Sequence, residues 1–246
     1  MRAGTPDGDS AGVPWAGRTL TPTPFAGDDG QPDRALAAAL AASPLDPVAV
    51  LEALRGARVF VPVVALAGGT DDRTGGDTGA DMALPSLRAP DGRTALPVFS
   101  GVAALARWDA TARPVPVQAR RAAVSAVEEG HQLLVLDAAG PGTAVLPRPA
   151  LWALAQDLPW TPSPRDPQVL AAVERALLAA LPPVRAVRCE PGRRAELRVV
   201  LVLDAGLDAR GLEALVRSAS AALAADEVVA ERVDSLELAP EAAGAA

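Results

Sequence analysis

The sequence predicts an α+β protein of two small mixed domains: an N-terminal sheet with a meander and helices, and a C-terminal αββαβ unit. Three observations carry this expectation. β-Branched apolar runs such as 58–66 and 195–203 alternate with alanine- and leucine-rich stretches, two of them opened by Asp-Pro pairs. A proline-spaced segment, Pro159-Trp160-Thr161-Pro162-Ser163-Pro164, divides the chain and favours a semi-stiff linker. The chain has 246 residues, 50% of them hydrophobic, which is enough for one large core or two small ones.

Residues 1–32, rich in Gly, Pro, Asp and Thr, read as a flexible arm. Asp33 can cap a short helix to Ala42. Asp46-Pro47 opens a second helix, because proline at the first helical position lacks an N–H that would be unpaired anyway. It stops at Gly56. Residues 58–66 read as a strand, with Pro62 confined to an edge or bulge. A loop covers 68–79. The runs 82–88 and 93–100 flank Pro90-Asp91-Gly92, which is strong turn chemistry. Together 58–100 is expected to form a three-stranded meander, and Ser100 to cap a helix through Trp108.

Residues 114–118 read as a strand, 120–130 as a helix, and 131–137 and 143–146 as strands. Pro149 starts a helix bearing Leu151, Trp152 and Leu154. The first domain is thus 33–158 and the linker 159–166. In the second domain, 167–238, Asp166-Pro167 repeats the Asp-Pro start. Leu170, Val173, Leu177 and Leu181 form an apolar stripe on that helix. Residues 184–189 and 195–203 make a hairpin around Pro191-Gly192, Asp208 caps a helix to Ala224, and 228–238 is a last strand. The remainder, 239–246, is expected to be a disordered tail.

Composition excludes several chemistries. All 23 basic residues are arginine, and lysine, asparagine, isoleucine and tyrosine are absent, as a GC-rich genome of the actinobacterial kind would produce. Without lysine there is no phosphate-loop lysine, Schiff base or lysine general base. One histidine and one cysteine exclude multi-His or multi-Cys zinc sites and a disulfide framework. No metal and no cofactor is expected. A net charge of −7 argues against nucleic-acid binding. The longest apolar run, 59–66, is too short to span a membrane, and Met1 to Asp7 lacks the apolar stretch of a signal peptide, so the expected location is the cytoplasm.

Several candidate residues have plainer roles open to them. Asp71, Asp72, Asp77 and Asp81 do not match calcium-loop spacing and read as hairpin loop. Arg185, Arg188, Arg193, Arg194 and Arg198 could clamp an acidic partner, but interleaved Glu190 and Glu196 favour solvated strand faces. Glu128 and Glu129 read as helix surface, His131 as a solvent-edge residue and Cys189 as an inert thiol. Ser100 lacks the Gly-x-Ser-x-Gly frame of a nucleophile elbow and reads as an N-cap. Trp108 and Trp152 read as core. Trp15 and Trp160, in loop and linker, can anchor a partner.

Three segments, Pro24 to Gly30, Gly92-Arg93-Thr94-Ala95-Leu96-Pro97-Val98-Phe99-Ser100 and Leu151-Trp152-Ala153-Leu154-Ala155-Gln156, with Arg113-Pro114-Val115-Pro116-Val117 between them, resemble an actinobacterial member of the SseB N-terminal-domain family. The similarity covers about residues 18–160, and 167–238 resembles the family's C-terminal domain. Where many members carry Asn-Pro after the later strand, this chain has Asp137-Ala138-Ala139-Gly140-Pro141. The resemblance implies no agreed activity and no catalytic residues; the family is named after enhanced serine sensitivity.

The expected function is therefore a non-enzymatic cytoplasmic protein that binds another protein, or its own copy as a homo-oligomer, through Trp15, Trp160, Arg185, Arg188, Arg193 and Arg194. The alternative is a sensor of a small amino-acid-like ligand. Its pocket would lie between the strand 96–100 and the helix of Trp152, using Arg93, Phe99, Arg113 and Trp152. An enzyme would have to use Ser100, Asp137 and His131.

Overall fold

The computed structural model describes residues 24–66 and 81–243. Residues 24–30 belong to the first of two compact units, Met1–Gly30, and form a turn in which the Asp28 carboxylate accepts from the Gly30 N–H at 2.8 Å. Residues 1–23 of the expected arm, with Trp15, and the loop 68–79 lie outside the described residues. All described residues from Gln31 onward belong to the second unit.

The first part of that unit runs α1 (Arg34–Ala41), α2 (Pro47–Gly56), β1 (Arg58–Leu66), β2 (Asp81–Ala83), β3 (Leu87–Arg88), β4 (Thr94–Val98), α3 (Val102–Trp108), β5 (Arg113–Gln118), α4 (Ala119–Glu128), β6 (Leu133–Leu136), β7 (Ala144–Leu146) and α5 (Arg148–Gln156). Asp33 and Asp46 cap α1 and α2 through their carboxylates. Each such cap is worth about 1 kcal/mol.

The meander expected over 58–100 forms only in part: the run 82–88 splits, β2 pairing antiparallel with β1 and β3 with β4. The strands order as β2-β1-β5 and β3-β4-β6-β7, and β4 pairs with β6 in parallel, Ala95 opposite Leu133 and Val98 opposite Leu136. Between β1 and β4 there is only a bridge, in which Phe60 and Phe99 exchange both N–H···O bonds at 2.7 and 2.9 Å. The residues explain this: Ala95 to Val98 are all buried, as suits an inner strand covered on both faces. Helices α1, α2, α4 and α5 cover one face through a core that includes Leu51, Val59, Leu96, Leu134, Leu151 and Leu154. Phe60, Phe99 and Leu105 of α3 fill the other, with the Trp108 ring 5.3 Å from that of Phe99. Each leucine buried this way contributes roughly 1.5–3 kcal/mol.

The prolines of this sheet obey ladder geometry. Phe60 turns its N–H and C=O toward Phe99, so Phe60↔Pro116 and Pro62↔Pro114 are the non-hydrogen-bonded pairs of the β1–β5 ladder. Pro62 falls between the Phe99 bridge and Val64, where pairing with β2 begins, so no ladder donor is needed there.

A 3-10 turn (Ser163–Arg165) leads to α6 (Pro167–Ala180), β8 (Val184–Pro191), β9 (Leu197–Leu203), α7 (Ala209–Ala225), α8 (Glu227–Arg232) and β10 (Leu236–Ala242). The sheet order is β10-β9-β8, with β10 parallel to β9. Leu197, Val199, Leu201 and Leu203 pack against Val169, Val173 and Leu177 of α6 and Leu215 and Leu223 of α7 in a second core.

Three expectations are corrected here. The buried stripe of α6 includes Val169, Ala172, Val173 and Leu177, whereas Leu170 is exposed. Residues 227–232 form α8 and not a strand: Asp226 accepts from the Val228 and Val229 N–H groups, and Glu227 and Arg232 suit the two ends of the helix dipole. The chain beyond Pro240 is no tail as far as Ala242, because β10 continues to pair with β9 up to Leu203.

Candidate functional site

The junction between the two cores is organised by two carboxylates. Asp234 accepts from Arg93 Nη1 with both oxygens at 2.7 Å and from the Arg148 backbone N–H at 3.1 Å. Glu196 accepts from the Ser163 N–H at 3.1 Å and the Asp234 N–H at 3.0 Å. Arg148 Nη2 donates to the carbonyls of Ala230 at 2.6 Å and Val233 at 3.2 Å, and Arg232 Nη1 to Asp166 at 2.7 Å. The proline-spaced segment is therefore bonded down: Ser163 and Asp166 are buried, and Trp160 packs against the first core.

These contacts frame a cleft of about 400 Å³. One wall is a face of α5, where Arg148, Trp152 and Gln156 recur every four residues and so stack on one side of the helix. Trp160 belongs to the extended segment that follows α5, and Glu231 and Arg232 come from α8. Trp152 is 47% exposed, which corrects the expectation that it is core: the buried face of α5 is made by Pro149, Ala150, Leu151, Ala153 and Leu154 instead. Trp160 is half-buried, and its Nε1 is enclosed with no hydrogen-bond partner among the described residues. A smaller cleft of about 210 Å³ lies between β1, β5 and α4 and is lined mainly by apolar side chains, among them Val61, Val63, Val115 and Val117.

The four residues expected to form a ligand pocket are dispersed. Arg93 is held by Asp234 and by Asp91, and lines a different cleft together with Trp160 and Arg194. Phe99 is fully buried against Trp108. Arg113 stands exposed at the start of β5, opposite Val63. Only Trp152 lines the α5–α8 cleft.

In the hairpin, Arg185 pairs with Asp204, and Arg188 with Glu241 and Glu190. The Arg193 N–H donates to Glu237, and Arg194 is exposed. Cys189 is half-buried beneath this face.

Of the residues an enzyme would need, two meet. Asp137 accepts from the Ser100 N–H at 2.7 Å and from its Oγ at 2.6 Å, at the ends of the parallel pair β4 and β6. Ser100 is therefore not the cap of α3; Gly101 holds that position without a side-chain bond. The Ser100 carbonyl accepts from Arg58 Nη1 at 2.9 Å, so the turn is bonded on both sides. His131 precedes β6 and Asp137 follows it, roughly 20 Å apart along an extended chain. His131 is buried at 7% exposure, not at a solvent edge, and Glu129 and Ser86 approach its Nε2 at 3.4 and 3.5 Å. Glu128 and Glu129 are exposed at the end of α4.

The residues that build the cleft and its junction, Arg148, Glu196, Arg232 and Asp234, had no signal in the sequence. They are ordinary surface types whose partners lie far along the chain, as the separation of 86 between Arg148 and Asp234 shows.

Among the described residues no cluster of metal-binding side chains occurs, and no helix is long and apolar enough to cross a membrane. The fold and site thus define an α+β protein whose prominent cleft lies between two cores. Residues 33–153 match the family model described as SseB protein N-terminal domain. The chain carries that domain over these residues. Neither the curated proteins nor the solved structures contain a match.

Proposed function

We propose that the protein acts by binding a small ligand, without catalysis, in the cleft between α5 and α8. The observation that supports this best is Trp152, a large aromatic left 47% exposed in the wall of a 400 Å³ cleft between two cores. Ligand sites favour such volumes and such junctions. Absence of catalysis is supported by Ser100, a buried hydroxyl that donates to Asp137 with no histidine beside it. The test is a diverse fragment set, read by thermal shift on the full chain and on Trp152→Ala. Compounds that raise the Tm of the parent and not of the variant are expected, since a ligand of the native state must stabilise it. A set with no such compound overturns the reading.

A second reading, contact with a partner protein or a second copy, is favoured by Leu158, which is 50% exposed close to Trp152. Exposed tryptophan with an apolar neighbour is typical of interface anchors. Sedimentation velocity would then show a dimer or larger species that Trp152→Ala disperses. Nucleic acid is not a proposed partner, given the charge of −7. A cytoplasmic location and the assignment of 167–238 as the family's C-terminal domain belong to the same proposal. The single cysteine supports the first, and the order α6-β8-β9-α7-α8-β10 the second.

A further inference from the structure

Arg148 is held in place yet its charge is left over. Its Nη2 is fixed by the carbonyls of Ala230 and Val233, and among the described residues no carboxylate pairs with its guanidinium. Its Nε and Nη1 donors have no partner there. The other arginine of the cleft differs: Arg232 is neutralised by Asp166, whose side chain is 6% exposed. A guanidinium immobilised by carbonyls through Nη2, with N–H donors remaining on Nε and Nη1, can receive an anion through a charge-assisted hydrogen bond.

The same α5 face carries Trp152 one helical turn away, an exposed indole on which a ring can stack. Trp160 adds a buried, unpartnered Nε1 donor, a group that native structures rarely leave bare. Glu231 opposes an anion but is exposed, where water and salt screen it.

We infer that the α5–α8 cleft takes a planar aromatic anion, its ring against Trp152 and its charge on Arg148. This rests on the reading of the cleft as a ligand site. The ring gives contact area and the anion gives orientation; a ligand lacking either forfeits one of the two walls.

The experiment is calorimetric titration of the full chain at low ionic strength with three probes: 2-naphthoate, the neutral 2-naphthalenemethanol and the aliphatic hexanoate. Saturable binding of 2-naphthoate is expected, at least tenfold tighter than either other probe. It should weaken at least tenfold in Trp152→Ala and in Arg148→Gln, with raised salt reducing the acid's affinity and not the alcohol's. Trp152 is exposed, so its variant keeps the fold, and an unchanged far-UV spectrum checks this. Equal binding of acid and alcohol, both lost in Trp152→Ala, overturns the anion and leaves a ring-binding cleft. Absence of Trp152-dependent 2-naphthoate binding overturns the ligand class. If the fragment set is also silent, the ligand-site reading falls with it.

Discussion

Arg93 and Asp234 are 141 positions apart, and one guanidinium nitrogen of the first reaches both carboxylate oxygens of the second at 2.7 Å. The Asp234 side chain is 6% exposed and that of Arg93 26%, so the pair is sheltered from solvent mainly on the acidic side. It joins the β3–β4 turn, beside the first core, to the segment entering β10, beside the second. Asp234→Ala is expected to lower unfolding stability by about 3 kcal/mol, since it strips both Arg93 and the Arg148 N–H of a buried acceptor, with Asp91 left to hold Arg93. Arg93→Ala should cost less, because Asp234 still accepts from the Arg148 N–H. Urea unfolding of both variants measures this, and a smaller loss for Asp234→Ala than for Arg93→Ala would contradict it.

The bond between Ser100 and Asp137 predicts a second order of effects. Asp137 adopts φ 52, a left-handed conformation that Asp and Asn tolerate better than Ala. Ser100→Ala removes one hydrogen bond and should cost about 1 kcal/mol. Asp137→Ala strands two donors of Ser100 and adds backbone strain, so it should cost more, on the order of 3 kcal/mol. Asp137→Asn should fall between them. Thermal unfolding gives the ranking.

Cys189 should be slow to react in the native state. Burial, with a smaller contribution from the Glu174 charge, pushes its thiol up to about 11. At pH 8 the thiolate, which is the reactive form, is then scarcer than in an unfolded chain by on the order of 100-fold. Iodoacetamide labelling with and without denaturant should show a rate ratio of that size or greater. Similar rates in both states would mean the thiol is accessible and unshifted.

Acid should weaken the fold through capping and turn carboxylates. At Asp226 burial works upward, but the N–H groups of Val229 and Val228 and the Arg175 guanidinium outweigh it and hold the carboxyl below its ordinary value. Asp109 is lowered by the Thr111 hydroxyl and N–H. A depressed native pKa gives stability that is complete above the unfolded value of about 3.9 and disappears as pH falls through the native one. Stability measured by urea unfolding should therefore decline below about pH 4. Asp226→Asn should be less stable than the parent at pH 7 and decline less steeply with acid.

What could be read from the sequence was local chemistry. The Asp-Pro starts at 46–47 and 166–167 are true helix N-termini, because a cap and its N–H partner lie within three residues of each other. The hairpin of β8 and β9 follows for the same reason. Partner choice between strands was less legible. Pro90-Asp91-Gly92 marks the β3–β4 turn, yet nothing within 94–98 shows that β4 pairs in parallel with β6 across α3, β5 and α4. Residues 227–232 misled because valine favours strands, while the capping carboxylate of Asp226 decides for helix. The cleft was half visible: Trp152 stood out as a large aromatic, but whether it faces core or solvent depends on which side of α5 the first core takes.

The prolines of β5 have a consequence for growth of the sheet. β5 is the last strand of β2-β1-β5, and the residues that turn their backbone away from β1 are those of the non-hydrogen-bonded pairs, Pro114, Pro116 and Gln118. Two of those three positions have no N–H at all. A strand from another molecule arriving at this border would find carbonyls but almost no donors, and could not continue the ladder. That border therefore offers carbonyls with few donors beside them, which disfavours strand exchange and fibril-like stacking from it.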